Sequence, residues 1–207
     1  MLKLNCVNIL VLNPILSINN IKNEAAFPLF ANDELPGFGK FYIQYWWMLM
    51  VEDFCFYWMH RFFHTKWIYP WVHKVHHESK QTIAISAIGT HPLEYILGNA
   101  IPVSMGLLLL PNTIHITTFC QFLIIRVFET VDGHSGYEFP FSPYRVLPWG
   151  GTSNFHNFHH LVNIGNYGDQ FVLWDAIFGT GKTYFDQIEK ELVNKVPGVI
   201  SKVKCED

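Results

Sequence analysis

Eight histidines gathered into three short boxes constrain this chain more than any other feature. The stretch from His60 to His77, HRFFHTKWIYPWVHKVHH, holds five histidines in eighteen residues, as H-x3-H followed by H-x2-H-H. A second H-x2-H-H stands far downstream at His156, His159 and His160. On a helix, positions i, i+3 and i+4 share a face. His60 can therefore point with His64, His73 with His76 and His77, and His156 with His159 and His160. Neutral imidazole is a common ligand for iron, copper and zinc. One zinc takes about four protein ligands in a structural site and about three in a catalytic one. Eight histidines exceed what one ion uses, so the pattern implies two metals. Incidental surface or core histidines would explain one box easily and three boxes poorly.

Composition places these boxes near a membrane. Half of the 207 residues are hydrophobic, 16% are aromatic and only 15% are charged, against an average of about 25% charged. The net charge of -3 and the lack of a basic cluster exclude nucleic acid as a partner. Cys6, Cys55, Cys120 and Cys205 are scattered and form no CxxC pair. They read as reduced thiols, not as a disulfide framework, and no thiolate joins the metal ligands.

Taken in order, residues 2–18 are apolar but broken by Pro14 and several Asn, marginal for a spanning helix. Residues 19–40 read as a loop. Residues 41–59 are long enough to span, with aromatics at both ends, although Glu52 and Asp53 interrupt them. Asp53, Tyr57, His60 and His64 fall on one helical stripe. Asp53 is thus placed either to hydrogen-bond a ligand histidine or simply to sit in the interfacial zone. Pro70 is expected to break this helix, and a polar helix is expected to resume over residues 72–80. His91 precedes Pro92 at a helix entry and stands between two boxes, a further ligand candidate. Residues 93–110 and 113–131 read as a membrane hairpin joined by Pro111-Asn112. His115, near its tip, is expected to be a non-ligand. Arg126 and Glu129 form an i,i+3 pair. His134 lies in a Gly-, Pro- and Ser-rich loop, and the last twenty or so residues read as an exposed charged helix and tail. Lys and Arg concentrate in the histidine-bearing segments, which puts these on the cytosolic side by the positive-inside rule. The fold expected is an all-α integral membrane protein. It has three to four membrane helices and a cytosolic helical histidine-box domain binding two metals. Its parts are residues 1–40 (apolar segment and loop), 41–185 (membrane and histidine-box domain) and 186–207 (tail).

The motifs carry a resemblance. EDFCFYWMHRFFH at 52–64, IYPWVHKVHHE at 68–78, HPLEYILG at 91–98, RVFETVDGHSGYEFP at 126–140 and HNFHHLVNIGNYGDQFVLWDAIFGT at 156–180 run in order without a large gap. Together they resemble the membrane-bound fatty acid hydroxylase superfamily of histidine-box di-iron oxygenases. DGHSGYEFP and the IGNY, WD and FGT stretches favour its C-4 methylsterol oxidase branch. The resemblance implies a multi-pass enzyme of the endoplasmic reticulum membrane, using O2 and electrons from NAD(P)H through cytochrome b5 or its reductase. It implies two irons, with zinc able to replace them, held by His60, His64, His73, His76, His77, His156, His159 and His160. His91 and His134 match further family histidines and would join them. The implied reaction oxidises the 4-methyl group of a 4-methylsterol, taken from the bilayer, stepwise to the acid.

Two positions depart from the family's H-H-D-x-H-H at the last box: Phe155 stands for its first histidine and Asn157 for its aspartate. If that aspartate orients a ligand, Asn157 weakens the effect. The N-terminal region is also shorter than the family's usual one, so a membrane helix there is expected to be absent or degraded. Rival readings are a C-5 sterol desaturase, a hydroxylase of another lipid, and a non-catalytic structural subunit among other membrane subunits. A metal transporter ranks last, because the histidines lie outside the apolar stretches.

Overall fold

The computed structural model describes residues 34–110, 113–146 and 149–195. The apolar segment at 2–18, the Pro111-Asn112 turn, two of the cysteines and the end of the tail lie outside these residues. Within them the chain is helical, with no strand and one isolated antiparallel bridge between Gly150 and Phe171.

Helix α1 runs Phe38–Phe63. From Lys40 onward it contains neither Gly nor Pro, so nothing interrupts its backbone ladder. It ends at Phe63 and not at Pro70: the His64 N–H turns back to the carbonyl of His60 and the Thr65 N–H to that of Phe62. The second box forms a short 3-10 helix, His73–Glu78, in place of the expected longer polar helix.

Helix α2, Pro92–Leu109, begins with His91 as its N-cap and Pro92 in its first turn. A π-helical stretch over Tyr95–Ala100 interrupts it. Pro102 lies two residues beyond and has no N–H to offer the carbonyl of Gly98, which favours irregular winding there. Helix α3, Ile116–Gly133, starts on His115, whose side chain accepts from the Thr117 N–H. Both α2 and α3 pack on α1. Met48 and Leu49 of α1, Leu107 of α2, Phe122 of α3, and Ile114 and Phe171 form the buried core. Contact is close at Gly106, where a Cβ would come within 3.0 Å of the Met48 Cα. There the Trp47 indole N–H donates to the Gly106 carbonyl at 3.0 Å.

Among the described residues, only α2 is long and apolar enough to cross a membrane. Three such helices were expected from residues 41 onward. Helix α1 carries Glu52, Asp53 and many Trp and Tyr, and α3 carries Arg126, Glu129 and Asp132, which lowers their hydropathy.

The remaining elements are α4 (Ser153–Val162), α5 (Leu173–Phe178) and α6 (Lys182–Lys195). Helix α4 is capped by Thr152, whose hydroxyl accepts from the Phe155 N–H, and it ends on Asn163 in the left-handed region. The C-terminal end of α1, the N-terminal end of α2 and the C-terminal end of α3 all reach the histidine boxes. These boxes therefore gather at one end of the three-helix packing.

Candidate metal centre

Nine histidines converge in two groups. His60, His64, His73, His77 and His159 form the first, and His76, His134, His156 and His160 the second. Within each group the candidate ligand nitrogens all lie within 4.8 Å of one another. All nine are buried except His64, which is half-buried.

The first box keeps a shared face, with His60 and His64 both in the first group. The second and third boxes fork. His73 and His77 enter the first group while His76 enters the second. In α4 the assignment is reversed: His156 and His160 enter the second group and His159 the first. In α4, at about 100° per residue, positions i+3 and i+4 fall on either side of position i. A helix lying between two ions can thus give its i,i+4 pair to one and its i+3 residue to the other.

The hydrogen bonds fix which nitrogen faces inward. A carbonyl oxygen only accepts, so an imidazole nitrogen against it carries the proton. His60 Nδ1 donates to the Tyr167 carbonyl at 2.8 Å and His134 Nδ1 to Thr130 at 2.9 Å. His159 Nδ1 donates to Gly165 at 2.6 Å and His160 Nδ1 to Ser79 at 3.0 Å. His73 Nδ1 donates to the Glu94 carboxylate at 2.8 Å. In these five rings the lone pair therefore sits on Nε2, on the inward side. Gly165 reaches His159 through a left-handed backbone, φ 76°, in a position where a Cβ would strike the Thr180 carbonyl.

The inward nitrogens crowd each other. In the first group His73 and His77 Nε2 are 3.0 Å apart, His64 and His159 Nε2 3.1 Å, and His77 and His159 Nε2 3.2 Å. In the second, His156 Nε2 lies 2.9 Å from His134 Nε2 and 3.1 Å from His160 Nε2. His76 and His134 Nε2 are 3.5 Å apart. The His60 Nε2 is buried without any hydrogen-bond partner. Two lone pairs facing each other repel unless a cation lies between them. Ligands about 2.0–2.1 Å from one ion, at tetrahedral or octahedral angles, stand about 2.9–3.4 Å apart. The spacing and the tautomers thus fit a metal in each group.

Burial keeps the rings neutral, which is the state a metal binds. It pushes His60 down to about 4 and His160 to about 3, desolvation being the main cause. His64, His73, His76, His77, His156 and His159 are also lowered well below the usual imidazole range, by desolvation and then by neighbouring imidazoles. Between the groups lies a cavity of ≈ 30 Å³, lined by His60 and His73 of the first, His76, His134 and His156 of the second, and Glu94.

Three sequence candidates take other places. His91 belongs to neither group. It caps α2, its Nδ1 accepting from the Leu93 N–H at 3.1 Å. Asp53 touches no histidine. It accepts from the backbone N–H of Gln170 and Phe171 at 3.0 and 3.3 Å and from the Trp174 indole at 2.7 Å, and so fastens the 170–174 segment to α1. Asn157 Oδ1 accepts from Thr82 N and Oγ1 at 3.0 and 3.3 Å, holding the segment that follows the second box. Phe155 is buried against Tyr184 and Phe185 of α6. A histidine there would face α6, so its replacement leaves both groups intact.

Sequence reading missed Glu94, although HPLEYILG contains it, because one carboxylate beside a proline gives no periodic signal. It also missed the partners of Arg126. This guanidinium binds Glu129 at 2.8 Å, as the i,i+3 spacing anticipates, but also Glu52 at 3.0 Å and Asp169 at 2.5 Å. Asp175 is likewise buried, accepting from the Tyr167 and Gly168 N–H groups at 2.9 and 2.6 Å. It thereby shapes the loop whose carbonyl meets His60.

Residues 45–180 match the family model described as fatty acid hydroxylase. The chain is 45% identical over 139 residues to a very-long-chain aldehyde decarbonylase, GL1-11, of Oryza sativa subsp. indica, covering 65% of this chain and 51% of that protein. It is 36% identical over 159 residues to methylsterol monooxygenase 1 of Gallus gallus, covering 77% and 53%. It is 37% identical over 178 residues to methylsterol monooxygenase 2-2 of Arabidopsis thaliana, covering 81% and 65%. This chain spans about half the length of the first of these relatives. No solved structure matches it.

Proposed function

This chain is a member of the fatty acid hydroxylase family, and we propose that it oxidises the 4-methyl group of a membrane 4-methylsterol with O2 at a histidine-held pair of irons. The observation that carries this reading is the pair of histidine groups with one small cavity between them. Iron, when bound, supplies the oxidising power to break an unactivated C–H bond, which no side chain can do. The chain's own residues hold and orient. Nine neutral imidazoles offer lone pairs, carbonyls of 79, 130, 165 and 167 fix four of the rings, and Glu94 fixes a fifth. Phe56 and Phe63 line the cavity beside these rings and give it an apolar side.

The proposed setting is the endoplasmic reticulum membrane, crossed more than once, with the boxes on the cytosolic side. Residues 41–185 form the oxygenase domain and 186–207 a charged tail. Electrons come from NAD(P)H through cytochrome b5 or its reductase, and other membrane subunits are possible partners. Hydroxylation and desaturation both begin with removal of a hydrogen atom, so the ligand set alone does not separate a C-5 desaturase from a methyl oxidase. The relatives named very-long-chain aldehyde decarbonylase favour a second reading, in which the lipid is a long-chain aldehyde.

The test is turnover in nanodiscs holding iron-loaded protein, reductase, cytochrome b5 and NADPH. A 4-methylsterol, a sterol without the methyl group and a very-long-chain aldehyde are offered separately, and products are read by mass spectrometry. Oxygen-18 incorporated at the methyl carbon supports the sterol reading. Turnover of the aldehyde alone, or of no lipid while both metals are bound, overturns it.

A further inference from the structure

Glu94 is 5% exposed, and its two oxygens have different surroundings. Oε1 accepts from His73 Nδ1 at 2.8 Å. Oε2 is buried with no hydrogen-bond partner, and the residue lines the cavity shared by both histidine groups. Leaving a carboxylate oxygen unpaired in a dry interior costs more than leaving out the whole group, so buried carboxylate oxygens find a donor. The other cavity-lining groups include Asn99, Thr90 and Thr130, and no hydrogen bond joins any of them to this oxygen. The cavity of ≈ 30 Å³ exceeds the roughly 10–15 Å³ that one water needs, so it has room for a small hydroxyl-bearing group. Glu94 also sits at the start of the π-helical stretch of α2, irregular winding of a kind that marks functional positions in helices.

We propose that Glu94 is a two-sided residue: Oε1 sets the orientation of His73, and Oε2 is the acceptor for one hydroxyl group held between the two histidine groups. The hydroxyl has two possible sources, a water molecule or the hydroxymethyl group of a once-oxidised lipid. The second source rests on the proposed methyl oxidation. There the acceptor favours the alcohol over the methyl compound, so the first product stays for further oxidation. Held this way, an O–H has one fixed acceptor in the cavity wall.

Glu94→Gln separates the two roles. With its amide oxygen toward His73 the glutamine still accepts from Nδ1, while its NH2 faces the cavity and turns an acceptor into a donor. Glu94→Ala removes both roles. The first measurement is an experimental structure of the metal-loaded full chain, wild type and Glu94→Gln, with metal content by elemental analysis. The expected result is an oxygen atom within hydrogen-bond distance of Oε2 in the wild type, displaced in Glu94→Gln, with metal content equal in the two. Glu94→Ala is expected to lose metal. An Oε2 bound to metal or to a protein donor, or an unchanged oxygen in Glu94→Gln, overturns the proposal. The second measurement compares binding of a 4-hydroxymethyl sterol and the matching 4-methylsterol. A tenfold or greater loss for the alcohol alone in Glu94→Gln identifies the lipid as the source. Equal affinities, with the oxygen present in the wild type, identify water. If the wild type binds neither sterol, the sterol reading fails, while the oxygen at Oε2 still decides the role of Glu94.

Discussion

Removing one histidine from each group should unload the two metals separately and unequally. His156 and His159 are neighbours on α4, yet they face different groups. Replacing His156 with Ala leaves three histidines in the second group. Replacing His159 leaves four in the first. A four-ligand structural zinc site is worth about 10–16 kcal/mol, so one ligand carries about 2.5–4 kcal/mol, or roughly 10²–10³ in affinity. The assay is metal per chain after dialysis against a graded chelator series. Zinc can replace iron during expression, so stoichiometry counts more than identity. The wild type is expected to hold two ions over the same chelator range in which His156→Ala holds one. His159→Ala is expected to give up its ion only at higher chelator. Three results would refute the forked assignment. His156→Ala could keep both ions, either variant could lose both together, or the order of loss could be reversed.

His91→Ala should leave two metals per chain and cost about 1 kcal/mol of stability, the worth of a helix cap, read by thermal unfolding in detergent. Metal loss from this variant would return His91 to the ligand set. Arg126→Met should destabilise the chain by about 3–5 kcal/mol, because it strands the buried carboxylates of Glu52, Glu129 and Asp169. A change under about 1 kcal/mol by denaturant midpoint would contradict the network. Acid should destabilise the metal-free chain. Burial lowers His60 to about 4 and His160 to about 3, while the unfolded rings titrate near 6.5. Between those values the unfolded chain binds more protons, so stability is full above about pH 6.5 and falls as pH drops below it, by about 1.4 kcal/mol per buried ring per unit. The same midpoint shift from pH 7.5 to 5.5 in the metal-free wild type and in metal-free His160→Gln would contradict this.

The histidine spacing made eight of the nine clustered histidines legible, because three boxes recur at helical intervals. Spacing did not reveal their partition. A face shared by i, i+3 and i+4 is wide enough to serve two ions, and only the packing of α4 against the His73–His77 turn decides which ring goes where. Helix α1 was visible in its long run without Gly or Pro, and α2 in its apolar stretch. Of the two places open to Asp53, a hydrogen bond to a histidine is not formed, for a physical reason. Asp53 does lie on the stripe of Tyr57, His60 and His64, and it is fully buried, but it stands nearly two turns from His60, beyond the reach of its side chain. The backbone of Gln170 and Phe171 meets it first. Glu94 and Asp169 were invisible because their partners, His73 and Arg126, are 21 and 43 residues away.

Charge explains why these unforeseen carboxylates belong with the histidines. Nine neutral imidazoles bring no negative charge to two divalent ions. In a dry interior an uncompensated pair of dications would be costly. Glu52, Asp53, Glu94, Glu129, Asp169 and Asp175 are all buried, and Arg126 is the one buried Lys or Arg among the described residues. The interior therefore carries more carboxylates than its single guanidinium can balance. Glu94 and Asp169 line the cavity between the two groups, and Asp169 links that wall through Arg126 to Glu52 and Glu129. With metals in the two groups, such residues would supply the counter-charge in place of the ligands, and every histidine would stay neutral, the setting that the proposed oxidation of a hydrocarbon needs.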